Sequence, residues 1–257
     1  MSWWNGLWLN EAFATFMEMR ATDDFRPGWD RWTDFAQSRT AAFDTDALST
    51  TRPIEYEVIS PADADGMFDI LTYEKGAAVV RMLEQYLGED QFRAGIQRYM
   101  RQHQFGNADT TDLWDALEAE TGEPVRRIMD SWIFQGGFPL ISVAQKAAAV
   151  SLGQERMGYA GGDDADEQSW VVPLHYRWQP AGADEPRSER LLLDGDATTS
   201  LTLDAAPEWT VLNAGATGFV RVAYDSDHLM DLADLGEAML TPSERYALID
   251  DAWASVL

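Results

Sequence analysis

Cysteine is absent from the 257 residues, and the chain has only three histidines (His103, His175, His228) and two lysines (Lys75, Lys146). Without cysteine there is no disulfide framework, no cysteine zinc finger and no thiol nucleophile. Such a composition fits a reducing compartment, and a cytoplasmic location is the expectation. With so few histidines, a metal site built from this chain alone has to be mostly carboxylate. No run approaches the roughly 18 uninterrupted apolar residues of a membrane span. Met1-Ser2-Trp3-Trp4 has neither the basic start nor the apolar core of a signal peptide, so none is expected. Basic charge is also scarce: 19 Lys and Arg against 44 Asp and Glu give a net charge of −25. That argues against nucleic acid as a partner, because phosphate binding needs a basic surface, and it disfavours anionic lipid.

Apolar and aromatic residues are plentiful. A hydrophobic fraction of 46% with eleven tryptophans rules out a disordered acidic chain. The length suits one large domain or two ordinary ones with real cores. The acidic charge reads as a solvated surface, or as a field that steers a cationic substrate. Internal repeats and low-complexity tracts are absent.

The pattern changes character near residue 138. Before it, apolar residues recur at helical spacing: Phe92, Ile96, Tyr99 and His103 form one stripe, and Val125, Ile128, Met129, Trp132 and Ile133 form another. Asp109-Thr-Thr-Asp112 offers N-caps for an intervening helix, and Gly122-Glu-Pro124 separates it from the next. After Pro139 the period becomes two. Strands are expected at Leu140–Val143, Ala147–Leu152, Trp170–Trp178, Arg190–Leu193, Thr198–Leu203, Trp209–Leu212 and Phe219–Tyr224, which suggests a small antiparallel β-sandwich. Gly158–Glu167 reads as a solvated loop, and its Asp163-Asp164-x-Asp166-Glu167 lacks the positional pattern of an EF-hand calcium site. From about Asp225 helices return: His228–Met239, then a helix opened by Thr241-Pro242-Ser243-Glu244, with Thr241 as N-cap and Glu244 completing a capping box. Both ends of the chain read as cut.

Two segments carry chemistry. In Trp8-Leu9-Asn10-Glu11-Ala12-Phe13-Ala14, helical spacing puts Leu9, Phe13, Phe16, Met17 and Arg20 on one side and Glu11, Thr15 and Glu18 on another. Glu11 is either an acid in a helix's first turn, favourable to the dipole by about 0.3–1 kcal/mol, or a carboxylate facing a metal. Spacing alone does not choose. In Phe68-Asp69-Ile70-Leu71-Thr72-Tyr73-Glu74-Lys75-Gly76-Ala77-Ala78, the helix that follows is apolar nearly all round and therefore interior. Tyr73 at its start is either a core aromatic or a phenol donating to an oxyanion. Gly76 inside a helix costs about 1 kcal/mol relative to Ala and hints at a close backbone approach. Asp69 could cap that helix or orient Tyr73. Lys75 stands out as one of two lysines among 17 arginines.

Together the two segments resemble the aminopeptidase N-like zinc metallopeptidases, the gluzincin aminopeptidases. That family carries H-E-x-x-H, then about eighteen residues, then a glutamate in W-L-N-E-G/A-F-A as third zinc ligand. The resemblance makes Glu11 that zinc ligand. A later Y-x-K-G-A segment of the family supplies a tyrosine that stabilises the tetrahedral intermediate, and Tyr73-Glu-Lys-Gly-Ala77 is similar to it. Met129-Asp-Ser-Trp132, Gln135-Gly-Gly-Phe-Pro-Leu-Ile-Ser-Val143, Trp209–Val222 and Pro242-Ser-Glu-Arg245…Asp250-Asp251 resemble later landmarks in the same order. The implied fold is an α+β multidomain fragment. Residues 1–137 would be the C-terminal helical part of a thermolysin-like catalytic domain, 138–224 a β-sandwich, and 225–257 the start of a C-terminal helical domain.

One departure limits what the resemblance implies. The sequence contains no His-Glu dipeptide and hence no H-E-x-x-H. By the family's spacing that motif falls roughly eight to twelve residues before Met1. One ligand of three and one oxyanion donor remain, so the isolated chain is expected to be inactive and not to retain zinc. The implied partners are peptide substrates and the upstream part of the same catalytic domain. The Trp3–Leu9 patch is expected to be exposed. The substrate-binding residues stay unknown. His103, His175 and His228 share no ligand spacing and read as structural or surface groups. A non-enzymatic sandwich and helical binding module is the competing reading. A glycosidase finds no justifiable carboxylate pair.

Overall fold

A computed structural model describes residues 1–159, 168–195 and 198–256. The Asp163–Glu167 cluster lies outside the described residues. The chain divides into two compact units, Met1–Gly137 and Phe138–Leu257.

The first unit is helical. Its helices are α1 (Leu7–Phe25), α2 (Arg31–Asp46), α3 (Pro61–Asp65), α4 (Gly76–Leu87), α5 (Glu89–Gln102), α6 (Thr110–Thr121) and α7 (Val125–Ile133). Apolar on nearly every side, α4 becomes the interior element, packed against α1, α5 and α7. Even its Glu84 is buried, and it pairs with Arg20 of α1. The expected stripe Val125, Ile128, Met129, Trp132 and Ile133 is buried throughout on α7. Asp112 accepts the Asp109 N–H at 2.7 Å, so the caps read from the sequence do open α6.

The face that α1 buries is left open by its spacing. Its buried side runs through Trp8, Ala12 and Phe16, whereas Met17 is 41% exposed and Phe13 only half-buried. A helix that is apolar on several sides leaves its orientation to its neighbours, and α4 claims the Ala12 side.

The second unit contains β1 (Pro139–Lys146), β2 (Ala149–Arg156), β3 (Val171–Pro180), β4 (Arg187–Asp194), β5 (Thr199–Thr202), β6 (Pro207–Leu212) and β7 (Arg221–Tyr224), followed by α8 (Ser226–Met239) and α9 (Pro242–Ala254). All seven expected strands form, with ends shifted by a few residues. They make two sheets, ordered β5-β2-β1-β7 and β4-β3-β6. The pairing is not wholly antiparallel as expected, because β7 lies parallel to β1. Parallel neighbours need a long crossover between them, and the five intervening strands supply it. The alternation holds in β1, where Ile141 and Val143 are buried while Ser142 and Ala144 face out.

The two C-terminal helices pack on this unit, α8 on β6 and α9 on β7. Trp209, Val211, Leu232 and Leu240 form the apolar cluster between α8 and the sheet. Polar anchors flank it: Arg177 of β3 binds Glu244 of α9 at 2.7 Å, and Arg221 of β7 binds Asp250 and Asp251 at 2.8 and 3.1 Å. The capping box read at Thr241 and Glu244 is present.

Candidate functional site

Glu11 sits in the second turn of α1, half-buried, one residue before the inward-facing Ala12. Its backbone carbonyl accepts the Thr15 hydroxyl at 2.9 Å. Tyr73 lies on a wide π turn, Leu71–Lys75, that leads directly into α4. The regular helical start expected around Tyr73 is therefore replaced by a wider turn, a feature that recurs at functional sites. Asp69 nucleates the turn by accepting the Leu71 and Thr72 N–H groups at 2.9 and 3.2 Å. Its far end is anchored by Lys75, fully buried, which binds Asp46 at 2.7 Å and the Gly137 carbonyl at 3.0 Å.

The two elements touch because Gly76 has no side chain. A Cβ on Gly76 would stand 2.6 Å from the Ala12 Cβ, so glycine alone lets α4 approach α1 this closely. This is the close approach hinted at by a glycine within a helix. It brings together the two residues singled out in the sequence: the Tyr73 phenol stands close enough to the Glu11 carboxylate to feel its charge. Burial first, then the neighbouring Glu11 carboxylate, then Glu74, hold the Tyr73 hydroxyl above the ordinary phenol range. The phenol therefore keeps its proton through neutral pH and beyond and is available as a donor. Glu74 is raised as well, by burial first, offset by its own backbone hydrogen bond and reinforced by Asp69.

The sequence reading missed Glu55. Its carboxylate accepts from Asn5 Nδ2 at 2.7 Å, from Trp8 Nε1 at 2.8 Å and from the Thr110 hydroxyl. The segment around it is neither helix nor strand, so no periodicity marks it. Lys75, noted only as a rarity in composition, proves to be a buried anchor of the turn.

The residues present do not by themselves suit a zinc ion. Among the described residues no group of three His, Cys, Asp or Glu could hold a metal. Glu11 offers one carboxylate. His103 ends α5 against Tyr99, with ring centroids 5.2 Å apart. His175 belongs to β3, and His228 is buried with Nε2 donating to the Thr210 carbonyl at 2.8 Å.

The patch expected to be exposed is so only in part. Trp3 and Trp4 are 58% and 44% exposed, whereas Leu7, Trp8 and Leu9, which open α1, are buried. Helix formation turns the later residues inward. Among the described residues no helix is long and apolar enough to cross a membrane.

Comparison with known proteins bears on this geometry. The peptidase family M1 domain matches residues 1–132, which include both Glu11 and Tyr73. The chain is 39% identical to the tricorn protease-interacting factor F2 of Thermoplasma volcanium over 88% of its own length and 27% of that protein's. It is 37% identical to aminopeptidase M1-A of Oryza sativa subsp. japonica, over 99% of the chain and 29% of the relative. It is likewise 37% identical to aminopeptidase M1 of Arabidopsis thaliana, over 99% of the chain and 30% of the relative. The chain thus spans less than a third of the length of these relatives. Half of its residues match the family, and the match contains the paired carboxylate and phenol: the chain belongs to peptidase family M1.

Proposed function

We propose that this chain carries one ligand helix and the oxyanion-donor turn of a zinc-dependent aminopeptidase, with Glu11 as zinc ligand and Tyr73 as the catalytic donor. The pairing of these two side chains across Gly76, in a chain of the M1 family, supports the reading. Tyr73 stays protonated and donates its hydrogen bond to the oxygen that becomes negative when the first peptide bond of a substrate turns tetrahedral. In the ground state the phenol stands beside the Glu11 carboxylate, whose charge helps keep it protonated. The products are a free N-terminal amino acid and a shortened peptide.

The proposal divides the labour. One carboxylate does not hold a catalytic zinc, which takes about three protein ligands, and the two histidines and the general-base glutamate are not in this sequence. The isolated chain is therefore inactive and does not retain zinc. Residues 1–137 belong to the catalytic domain, 138–224 to a β-sandwich and 225–257 to a following helical domain. The cysteine-free composition is compatible with a cytoplasmic setting.

The DNA immediately upstream of the Met1 codon provides the first test. An in-frame H-E-x-x-H ending about eighteen residues before Glu11 is expected. An in-frame stop there, with a folded 257-residue product, would favour a non-enzymatic binding module. In the longer polypeptide, Tyr73→Phe lowers kcat on an aminoacyl arylamide by about 10²–10³-fold with little change in KM. Glu11→Gln lowers the zinc retained after dialysis. Zinc-loaded hydrolysis by the isolated chain, abolished by Glu11→Ala, would refute the division of labour.

A further inference from the structure

We infer that residues 51–56 form a strap that sets α1 in register against the Tyr73 turn, with Glu55 and Arg52 as the positioning residues at its two ends. Its functional meaning rests on the reading of Glu11 and Tyr73 given above.

Glu55 holds the start of α1. Its carboxylate takes the Trp8 indole N–H at 2.8 Å and the Asn5 amide at 2.7 Å, and Trp8 lies one turn before Glu11 on the same helix. The same carboxylate takes the hydroxyl of Thr110, the first residue of α6. Three charge-assisted bonds, two from the start of α1 and one from α6, fix both the rotation and the axial position of α1. Three residues earlier, Arg52 holds the other element. Its guanidinium pairs with Asp69 at 2.5 Å and donates to the Thr72 hydroxyl at 3.0 Å. Asp69 opens the π turn, and Thr72 immediately precedes Tyr73.

The strap is itself pinned. Arg52 donates to the carbonyls of Pro53 and Ile54 at 2.7 and 3.2 Å and stacks on the Tyr56 ring at 5.0 Å. The Glu55 N–H donates to the Ile133 carbonyl at 3.0 Å. Gly136 passes so close that a Cβ there would meet Thr51 and the Arg52 backbone at 2.9–3.1 Å. Ile54 between the two ends is fully buried. A short extended segment held this way acts as a strut. Loosening either end frees both the Glu11 helix and the Tyr73 turn.

Amide hydrogen exchange on the full 257-residue chain, without metal or substrate, tests the inference. Glu55→Ala should raise exchange about tenfold in Leu9–Ala14 and also across Leu71–Gly76, while α5 and α6 beyond its first turn stay at parental rates. Arg52→Ala should loosen the same pair of segments. Glu55→Gln, which keeps the volume and one acceptor, should restore most of the protection. Gly95→Ala serves as a control: its Cβ would collide with Leu117 at 2.5 Å, destabilising the α5–α6 contact about two turns beyond the Thr110 bond to the strap. It should leave Leu9–Ala14 and Leu71–Gly76 at parental rates. If each strap variant loosens only its own end, or all helices alike, the strap does not couple the two elements. Equal loosening of both segments by Gly95→Ala would overturn it too. Should Glu55→Ala fail to fold, Asn5→Leu, which removes an amide donor to Glu55 at similar volume, decides by the same two segments. Because exchange is read without zinc or peptide, this result is independent of the aminopeptidase reading.

Discussion

The Lys75 ammonium meets the Asp46 carboxylate at 2.7 Å with both side chains fully shut off from solvent. Asp46 also accepts the Gly137 N–H at 2.9 Å and the Thr51 hydroxyl at 2.6 Å, so the pair joins the end of α2 to the Tyr73 turn and to the segment after α7. Breaking one side of a buried pair is far costlier than replacing both. Lys75→Met should lower the unfolding free energy by about 3–5 kcal/mol, and Lys75→Met with Asp46→Leu should recover only part of that loss, because the Gly137 N–H and the Thr51 hydroxyl then lose their acceptor. Lys75→Arg should also destabilise, because a planar guanidinium does not fit a site packed around an ammonium. Urea midpoints measure all three, and an unchanged midpoint in Lys75→Met would show the pair to be idle.

Gly76→Ala sets helix propensity against space. Alanine gains about 1 kcal/mol in a helix interior, but the new Cβ would lie 2.6 Å from a backbone-fixed Ala12 Cβ that cannot rotate away. Overpacking of this kind costs about 1–3 kcal/mol, so the clash wins. The expected outcome is a lower thermal midpoint, restored by the compensating Ala12→Gly. A midpoint raised by Gly76→Ala alone would mean that α1 and α4 are farther apart than described.

Glu244 makes the second unit sensitive to acid. Burial opposes its charge, but bonds from Arg177, the Gly215 N–H and the Thr241 N–H outweigh that and hold the carboxyl below its ordinary value of 4.5. A depressed carboxylate contributes stability above its unfolded value and loses it as pH falls through the folded one. Stability to urea followed by tryptophan fluorescence should therefore weaken as pH drops from about 6 to about 3. Glu244→Gln should be less stable at neutral pH and show a shallower pH dependence. Parallel curves for the two proteins would remove Glu244 from the account.

Trp3 and Trp4 stand exposed beside Ile59 and Phe68, around a groove of about 500 Å³. Contiguous apolar surface of this kind tends to associate. Sedimentation should show self-association at high concentration that Trp3→Ser with Trp4→Ser reduces, leaving the buried Trp8 unaffected. A parent that stays monomeric at every concentration would count against it.

Much was legible in the sequence because local rules act on neighbouring residues. The seven strands, the α7 stripe and the Thr241–Glu244 capping box follow from period and cap chemistry, which need only residues a few positions apart. Motif resemblance marked Glu11 and Tyr73, but spacing alone left each with two readings. The parallel β1–β7 pair was not legible, since no local signal records which distant strand a segment will join.

The sequence by itself determined which segments are helix and strand, and which carboxylate and phenol stand out. Tertiary structure alone decided that these two meet. Residues 11 and 73 are 62 positions apart, and what brings them together is a missing Cβ at Gly76 opposite Ala12. The same holds for Glu55, whose three partners come from two segments far from it in sequence and leave no trace in any periodicity. Period and capping are short-range properties of the chain. Close approach, burial of a charge and the sharing of a carboxylate arise only when distant segments compete for the same space.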